Sequence, residues 1–415
     1  MDTETPIETG LGLKEAVQEF PEGGIRGWAT ALGTALIMFS TLGYVNSWGI
    51  LRSYYETHQL SEQSPDQVAW IGSLQSFFVF GGTLFGGPMF DRWGEKVIRP
   101  AAVAYVLSRM VTSFCQRYWQ FLLAQGVFGG ISLGMTMSPS MAATPQYFYK
   151  KRGTAMGIIM AGSSVSGVVW PIALSKMLHN ERLGFGWSLR IVGFIMLAVL
   201  ALGATGIKAR LPPRKSGFLL LRAFRDPVYC LNVTSSFFLF MGMFTPVFFL
   251  PGYALAKGMD RELAGYLLAI LNGASFIGRV VPGILADRFG RYNMLFGATL
   301  ASGIITLCWT KCETSEDIIV FAVFFGFCSG ALVSGASTTL ASCPGDPKDI
   351  GTYMGMGLFL SSFAVLISPP INGALLKADN DVLDVSIFSG VLLLVGAVAV
   401  LLTKAFGPGG LWAKT

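Results

Sequence analysis

Gly87-Pro88-Met89-Phe90-Asp91-Arg92-Trp93-Gly94 and Gly283-Ile284-Leu285-Ala286-Asp287-Arg288-Phe289-Gly290 decide the reading of this chain. Both stretches spell G-x-x-x-D-R-x-G, and they stand 196 residues apart. Each closes an apolar run. In both, the aspartate falls where the chain leaves that run. There it can pair with arginine or accept hydrogen bonds from the N-terminus of a neighbouring helix. The glycines permit a tight turn. One pattern at two equivalent places marks a chain built from two copies of one unit.

Composition puts both copies in a membrane. Of 415 residues, 52% are hydrophobic and 13% charged, about half the roughly 25% charge of a soluble domain. That excludes a solvated globular enzyme, a disordered regulator and a fibrous protein. The 51 glycines suit membrane helices, where small residues let backbones come close. A span needs about 20 mostly apolar residues. Twelve such runs can be read: 28–51, 68–90, 98–116, 119–141, 154–178 and 187–207, then 228–256, 263–286, 292–310, 316–340, 350–376 and 385–405. The expected fold class is all-α: an integral membrane protein of twelve transmembrane helices in two six-helix pseudo-repeats. The expected division is a cytosolic tail over 1–24, a first bundle over 25–207, a linker over 208–226, a second bundle over 227–406 and a short cytosolic tail over 407–415.

Lysine and arginine set the orientation. With the N-terminus inside, fifteen basic residues fall in the cytosolic loops, including Arg92, Lys96, Arg99 and the linker's Lys208, Arg210, Arg214, Lys215, Arg222 and Arg225; nine fall outside. The acidic tail, with Glu15, Glu19 and Glu22, lacks the basic start and short apolar core of a signal peptide. A multi-pass protein of the plasma membrane with both termini cytosolic is expected. The net charge of +6 then follows from topology and contact with anionic membrane lipid, and nucleic acid is not an expected partner. Cys308 and Cys312 lie four apart with no histidine to join them, so no metal site is expected. No phosphate-binding loop is present, so neither nucleotide nor any other cofactor is expected.

At this point the sequence resembles the major facilitator superfamily over essentially its whole length. The resemblance implies a rocker-switch carrier whose gating charges Asp91, Arg92, Asp287 and Arg288 latch the inner side and part as the halves rock. A narrower resemblance rests on two motifs. Pro21-Glu22-Gly23-Gly24-Ile25-Arg26-Gly27-Trp28 looks like the acidic-Gly-Gly motif of the monocarboxylate porter family, with one extra residue before the tryptophan. Tyr147-Phe148-Tyr149-Lys150-Lys151-Arg152-Gly153-Thr154-Ala155-Met156-Gly157 is similar to that family's second motif. Residues 33–48 and 68–80 look like its fungal branch, several of whose members lie in secondary-metabolite gene clusters. In the animal lactate carriers, a helix 1 lysine and a helix 8 aspartate–arginine pair carry proton and carboxylate. Here Asn46 stands for the lysine, Ser275 for the aspartate and Arg279 for the arginine. Two of the three groups are absent, so lactate–proton symport does not carry over.

Charge at membrane depth is costly and points to function. Arg279 lies eight residues before Asp287, about 12 Å along a helix. Asn272, Ser275 and Arg279 share one face by spacing, and a guanidinium forks a carboxylate with two hydrogen bonds. The alternative is a bond from Arg279 to backbone carbonyls of a neighbouring helix. Asn46 and Gln75 are further candidate substrate contacts, or else helix-packing amides. Arg109 is the other buried candidate, read first as a side chain reaching out to the outer surface. The phenylalanine-rich run 237–249 reads as lipid-facing bulk, with the lining of an aromatic substrate site as the alternative. No Asp or Glu lies well inside a predicted run, and His58 and His179 fall in outer loops. This favours facilitated transport, a proton carried by the substrate, or coupling through Asp91 and Asp287.

The expected function is secondary active or facilitative transport of a small organic solute, an anion bearing a carboxylate and bulkier than lactate. It includes efflux of a fungal metabolite among its possible directions. The alternative is a non-transporting nutrient sensor on the same scaffold, a class that usually carries long tails. A membrane enzyme is not expected, because no run holds a histidine or a carboxylate cluster. Tags at residues 5 and 410 should both stay protected from protease added to intact cells; cleavage of either reverses the orientation.

Overall fold

The computed structural model describes residues 20–180, 182–214, 217–379, 382–407 and 410–411. Most of the two expected tails, and Lys215, lie outside the described residues. The described residues form helices and no strand. In chain order the rods are α1 Gly24–Thr57, α2 Pro65–Gly81 continued by Thr83–Trp93, α3 Ile98–Thr112, α4 Tyr118–Gln146, α5 Arg152–Leu178 and α6 Gly184–Gly206. The second six are α7 Pro227–Ala256, α8 Arg261–Phe289, α9 Arg291–Leu307, α10 Ser315–Leu340, α11 Ile350–Asp379 and α12 Leu383–Phe406. Among the described residues ten stretches are long and apolar enough to cross a membrane. One of these, Asp66–Thr112, runs through both α2 and α3. α9, with 17 residues, spans only about 26 Å at 1.5 Å per residue.

Local chemistry sets the helix ends. Asp226 caps α7 by accepting from Val228 N at 2.9 Å. Asp260 caps α8 through Glu262 N and Leu263 N. Thr314 and Asp317 form a reciprocal capping box at α10. The last glycine of each repeated motif ends α2 and α8 in the same way. Gly94 has φ 65° and Gly290 has φ 98°, a region that a side chain makes costly. The turn after each aspartate therefore needs glycine, and this accounts for the final position of G-x-x-x-D-R-x-G.

Two rods are irregular inside the first half. α1 is interrupted, with separate pieces Gly24–Ser40, Leu42–Val45 and Trp48–Thr57. α4 is wound as a π-helix over Leu122–Gly129.

The halves meet along two seams, α5 on α8 and α2 on α11. Both are built from small residues. A Cβ on Gly153 would stand 2.6 Å from the carbonyl oxygen of Gly283, and one on Gly351 would stand 2.6 Å from that of Gly87. In a membrane, where lipid is as apolar as leucine, such backbone proximity supplies the dispersion and dipole contact that holds helices together. The phenylalanine-rich run of α7 is a correction to the lipid-facing expectation. Phe240 is buried, with its ring 5.1 Å from that of Phe80 on α2, and Phe244 is 6.5 Å from the same ring. The i, i+4 spacing puts these two on the face that meets the other half, while Phe248 is exposed.

Gly87→Val and Gly153→Val should each wedge a seam open. Overpacking a close contact costs about 1–3 kcal/mol, so the unfolding midpoint should fall and transport should drop in both. A midpoint and a transport rate unchanged from wild type would show that the seams have slack.

Candidate functional site

The two aspartates do the same thing on opposite sides of the bundle. Asp91, at the end of α2, is buried. Its carboxylate accepts from Gly351 N at 3.1 Å, Thr352 N at 2.7 Å and Thr352 Oγ1 at 2.7 Å, all at the start of α11. Asp287, at the end of α8, accepts from Gly153 N at 2.7 Å, Thr154 N at 2.8 Å and Thr154 Oγ1 at 2.7 Å, all at the start of α5. Each carboxylate thus caps a helix in the other half. It satisfies orphan N–H groups and faces the positive end of a helix dipole. The partners also repeat: Gly153-Thr154-Ala155-Met156-Gly157 and Gly351-Thr352-Tyr353-Met354-Gly355 both read G-T-x-M-G, 198 residues apart. The first copy lies within the motif that leads into α5, and the second is its twin at the start of α11.

Arg92 and Arg288 do not join these caps. Arg92 lies over the Trp93 ring, 5.8 Å from its centroid, and Arg288 is exposed. Among the described residues neither makes an ion pair. The arginines that do bind at this end are others. Arg152 is buried and donates to Phe148 O, Pro145 O and, across the seam, Ala341 O at 3.1 Å. Arg291 donates to Tyr149 O and to Ser342 Oγ. In the segment between the halves, Arg214 N donates to Asp91 O at 2.7 Å while its guanidinium pairs with Asp349 at 2.9 Å. That segment therefore straps both halves at the motif end.

The two narrower motifs touch each other. The Glu22 carboxylate accepts three successive backbone N–H groups, from Tyr149 at 3.1 Å, Lys150 at 2.8 Å and Lys151 at 3.2 Å. Trp28 packs edge-on against Phe148, with ring centroids 5.0 Å apart. The acidic-Gly-Gly stretch is thus a clasp on the loop that leads into α5, which is a backbone anion nest of the usual kind.

Further along the α5–α8 seam lie the candidate substrate residues. Arg279 is buried, and its Nη1 donates to Met160 O at 2.5 Å and to Ser163 Oγ on α5. Its Nε has no partner. Asn272 of α8 and Asn46 of α1 converge on Gly167 of α5: a Cβ there would stand 2.6 Å from Asn272 and 2.8 Å from Asn46 Nδ2. Ser275, on the flank of that face, lies against Gly330 of α10. Gln75 of α2 is apart from this group, buried inside the first half, and its Oε1 accepts from Gln125 Nε2 at 3.1 Å. Arg109 corrects the sequence expectation outright: it is 1% exposed and does not reach the surface. Gly129 of α4 has no side chain where the guanidinium sits, and that space turns the arginine inward.

The family model of the Major Facilitator Superfamily matches residues 30–369 and 235–410. The chain belongs to that superfamily. Among its curated relatives, the aspyridones efflux protein of Emericella nidulans is 50% identical over 92% of this facilitator and 78% of its own length. The agnestins efflux protein of Paecilomyces divaricatus is 35% identical over 98% and 93%. The fujikurins efflux protein of Gibberella fujikuroi is 36% identical over 92% and 83%. In fold it is similar to the Escherichia coli fucose:proton symporter, with TM-score 0.73 at 15% identity, covering 92% of this chain and 99% of that one. It is likewise similar to a human organic anion transporter, with TM-score 0.70 at 16% identity, covering 90% and 98%. The facilitator is a multi-pass membrane protein that transports a small organic solute, and its relatives are transporters rather than enzymes.

Asn in place of either capping aspartate puts an amide NH2 against N–H donors. The loss of such a cap is worth about 1–2 kcal/mol, a five- to thirty-fold shift away from the closed motif end. Asp91→Asn and Asp287→Asn should therefore reach the membrane in normal amount and transport poorly. Full transport in both would reduce the caps to anchors.

Proposed function

We propose that this facilitator exports a small organic acid, a fungal secondary metabolite bearing a carboxylate, by rocker-switch alternating access. The observation that carries the reading is Arg279. It is a cation buried on the line where the halves meet, with no ion pair among the described residues. An uncompensated buried charge is expensive, and an anionic solute compensates it. In the closed arrangement Met160 O and Ser163 Oγ hold the guanidinium. The solute's carboxylate replaces these neutral acceptors with a two-point charged one. Binding therefore competes with the α5–α8 seam, which links the solute to the rocking of the halves. Asn272, Asn46 and Ser275 surround the same stretch of seam, and Gln75 lies apart from it inside the first half.

The names of the efflux relatives support the direction. The touching pair of motifs, Glu22 on the 149–151 loop, supports placing the chain with the monocarboxylate porters. The absence of a lysine at Asn46 leaves less fixed positive charge than a lactate carrier has and favours a bulkier, less charge-dense solute. We place residues 25–207 and 227–406 as the two moving bodies, 208–226 as the strap between them, and the motif end in the cytosol of a plasma-membrane carrier. The basic loops there face anionic lipid.

The test is export of the metabolite that disappears from the medium when the gene is deleted. Arg279→Gln should cut its export about ten-fold or more, the worth of one charge-assisted hydrogen bond. Arg279→Lys keeps the charge and loses the planar fork, so it should fall between Gln and wild type. Wild-type export by the Gln variant would make Arg279 a packing residue and remove the anion assignment.

A further inference from the structure

Helix α3 carries a second cation at membrane depth. The Arg109 guanidinium lies over the rings of Tyr44 and Tyr105, 5.4 and 5.3 Å from their centroids. Its Nε donates to Ser108 Oγ at 3.3 Å, and its Nη2 has no partner. No acidic residue pairs with it among the described residues. Tyr44 Oη lies beside the guanidinium without closing a hydrogen bond, and Tyr105 Oη has no partner either.

The amides nearby add donors rather than acceptors. Gln125 Oε1 takes the hydroxyl of Tyr55 at 2.7 Å, and Gln125 Nε2 gives its proton to Gln75 Oε1 at 3.1 Å. Gln75 Nε2 is left over, and Gln75 packs on Gly130, next to the Gly129 that receives the guanidinium. All seven side chains, Ser108 included, are more than nine-tenths buried. Cluster chemistry is therefore lopsided. It holds one positive charge and unpaired N–H groups on Arg109 and Gln75, beside the hydroxyls of Tyr44 and Tyr105, which can donate or accept, while both amide oxygens are taken. A buried polar network left unsatisfied in this way is costly. What it lacks is an acceptor carrying negative charge.

The backbone around it is irregular on two sides. α1 breaks at Thr41 and again at Asn46–Ser47, on either side of Tyr44. The π-wound segment Leu122–Gly129 carries Gln125. Non-helical winding at membrane depth is tolerated where it lines a polar site, and π-segments gather at functional positions.

We propose that Arg109, Gln75, Tyr44 and Tyr105 form a second anion site inside the first half, which takes the ionised acidic oxygen of the transported organic acid once α1 shifts away from α4. The inference rests on the reading that the solute is an organic acid. It adds a site that Arg279 does not supply: the acid passes between a cation on the seam and a cation within the first half, and among the described residues no carboxylate pairs with either.

The test uses the purified full chain in detergent with 2-naphthoate as the probe and uncharged 2-naphthamide as its isostere, read as the shift of the unfolding midpoint against concentration. Naphthoate should stabilise the wild type and naphthamide should not. Arg109→Gln should raise the half-saturating naphthoate concentration at least ten-fold. Tyr105→Phe guards against misfolding of that variant, because it removes a buried hydroxyl that has no partner. If the cluster is only structural, Tyr105→Phe stabilises the free protein and leaves naphthoate binding unchanged. If the site is real, naphthoate binding weakens several-fold. Equal effects of naphthoate and naphthamide on the wild type, or wild-type half-saturation in either folded variant, overturn the second site. Arg279→Gln, titrated alongside, separates the two readings. Loss there with retention in Arg109→Gln and Tyr105→Phe sinks the second site and leaves the seam site standing. The reverse pattern keeps the second site and removes Arg279.

Discussion

A carboxylate at the end of one helix caps the start of a helix in the other half, and it does so twice. Asp91 holds Gly351 and Thr352; Asp287 holds Gly153 and Thr154. The arrangement suits a membrane protein because it puts charge where a helix leaves the apolar layer and uses the N–H groups that every helix start leaves unpaired. It also explains the glycines. A carboxylate reaches backbone N–H groups across a seam only if the two backbones come close, and Gly87, Gly153, Gly283 and Gly351 allow that. Remove the bulk constraint and the caps drift out of reach; remove the caps and the seams lose the charged hydrogen bonds at their motif ends.

The duplication gives the closed end two latches rather than one. They lie on separate helix pairs, α2 with α11 and α5 with α8, so parting one does not part the other. On the proposed rocker-switch reading, rocking releases both together, which makes closure a two-state event rather than a gradual hinge. The strap reinforces this coupling. Arg214 binds the main chain of Asp91 and the side chain of Asp349, two residues before the Gly351 that Asp91 caps. Latch, strap and helix start are therefore one connected group.

The rods were legible in the sequence because apolar length and polar breaks survive any tertiary detail. The motif ends were legible because Asp-Arg followed by glycine has few uses beyond a helix terminus. Their partners were harder to read. What faces Asp91 is the backbone N–H of residues 260 positions away, and a backbone group leaves no letter in a sequence. The only trace is the twin G-T-x-M-G, visible once the first copy is laid over the second. Arg92 and Arg288 were grouped with the caps for being adjacent, yet the helix turns adjacent residues by about 100° and points them elsewhere. Arg109 was misread for a related reason. Its position along α3 allowed an outward reach, and only the bare backbone of Gly129 on another helix draws it in.

Among the described residues the interior holds cations and amides but few carboxylates, and this bears on how the latches are worked. Asp91 and Asp287 are already engaged with N–H donors at the motif end. Arg279 is held by a carbonyl and a hydroxyl, neutral acceptors that a charged oxygen outbids. The weaker half of the seam is therefore the half nearer its middle, and the stronger half is at its end. On the proposed organic-acid reading, an anion arriving mid-seam removes the weaker contacts first and leaves the caps as the last barrier to rocking. That order is what an alternating-access carrier requires: the solute is engaged before the closed end gives way, so the bundle opens behind an occupied site rather than an empty one.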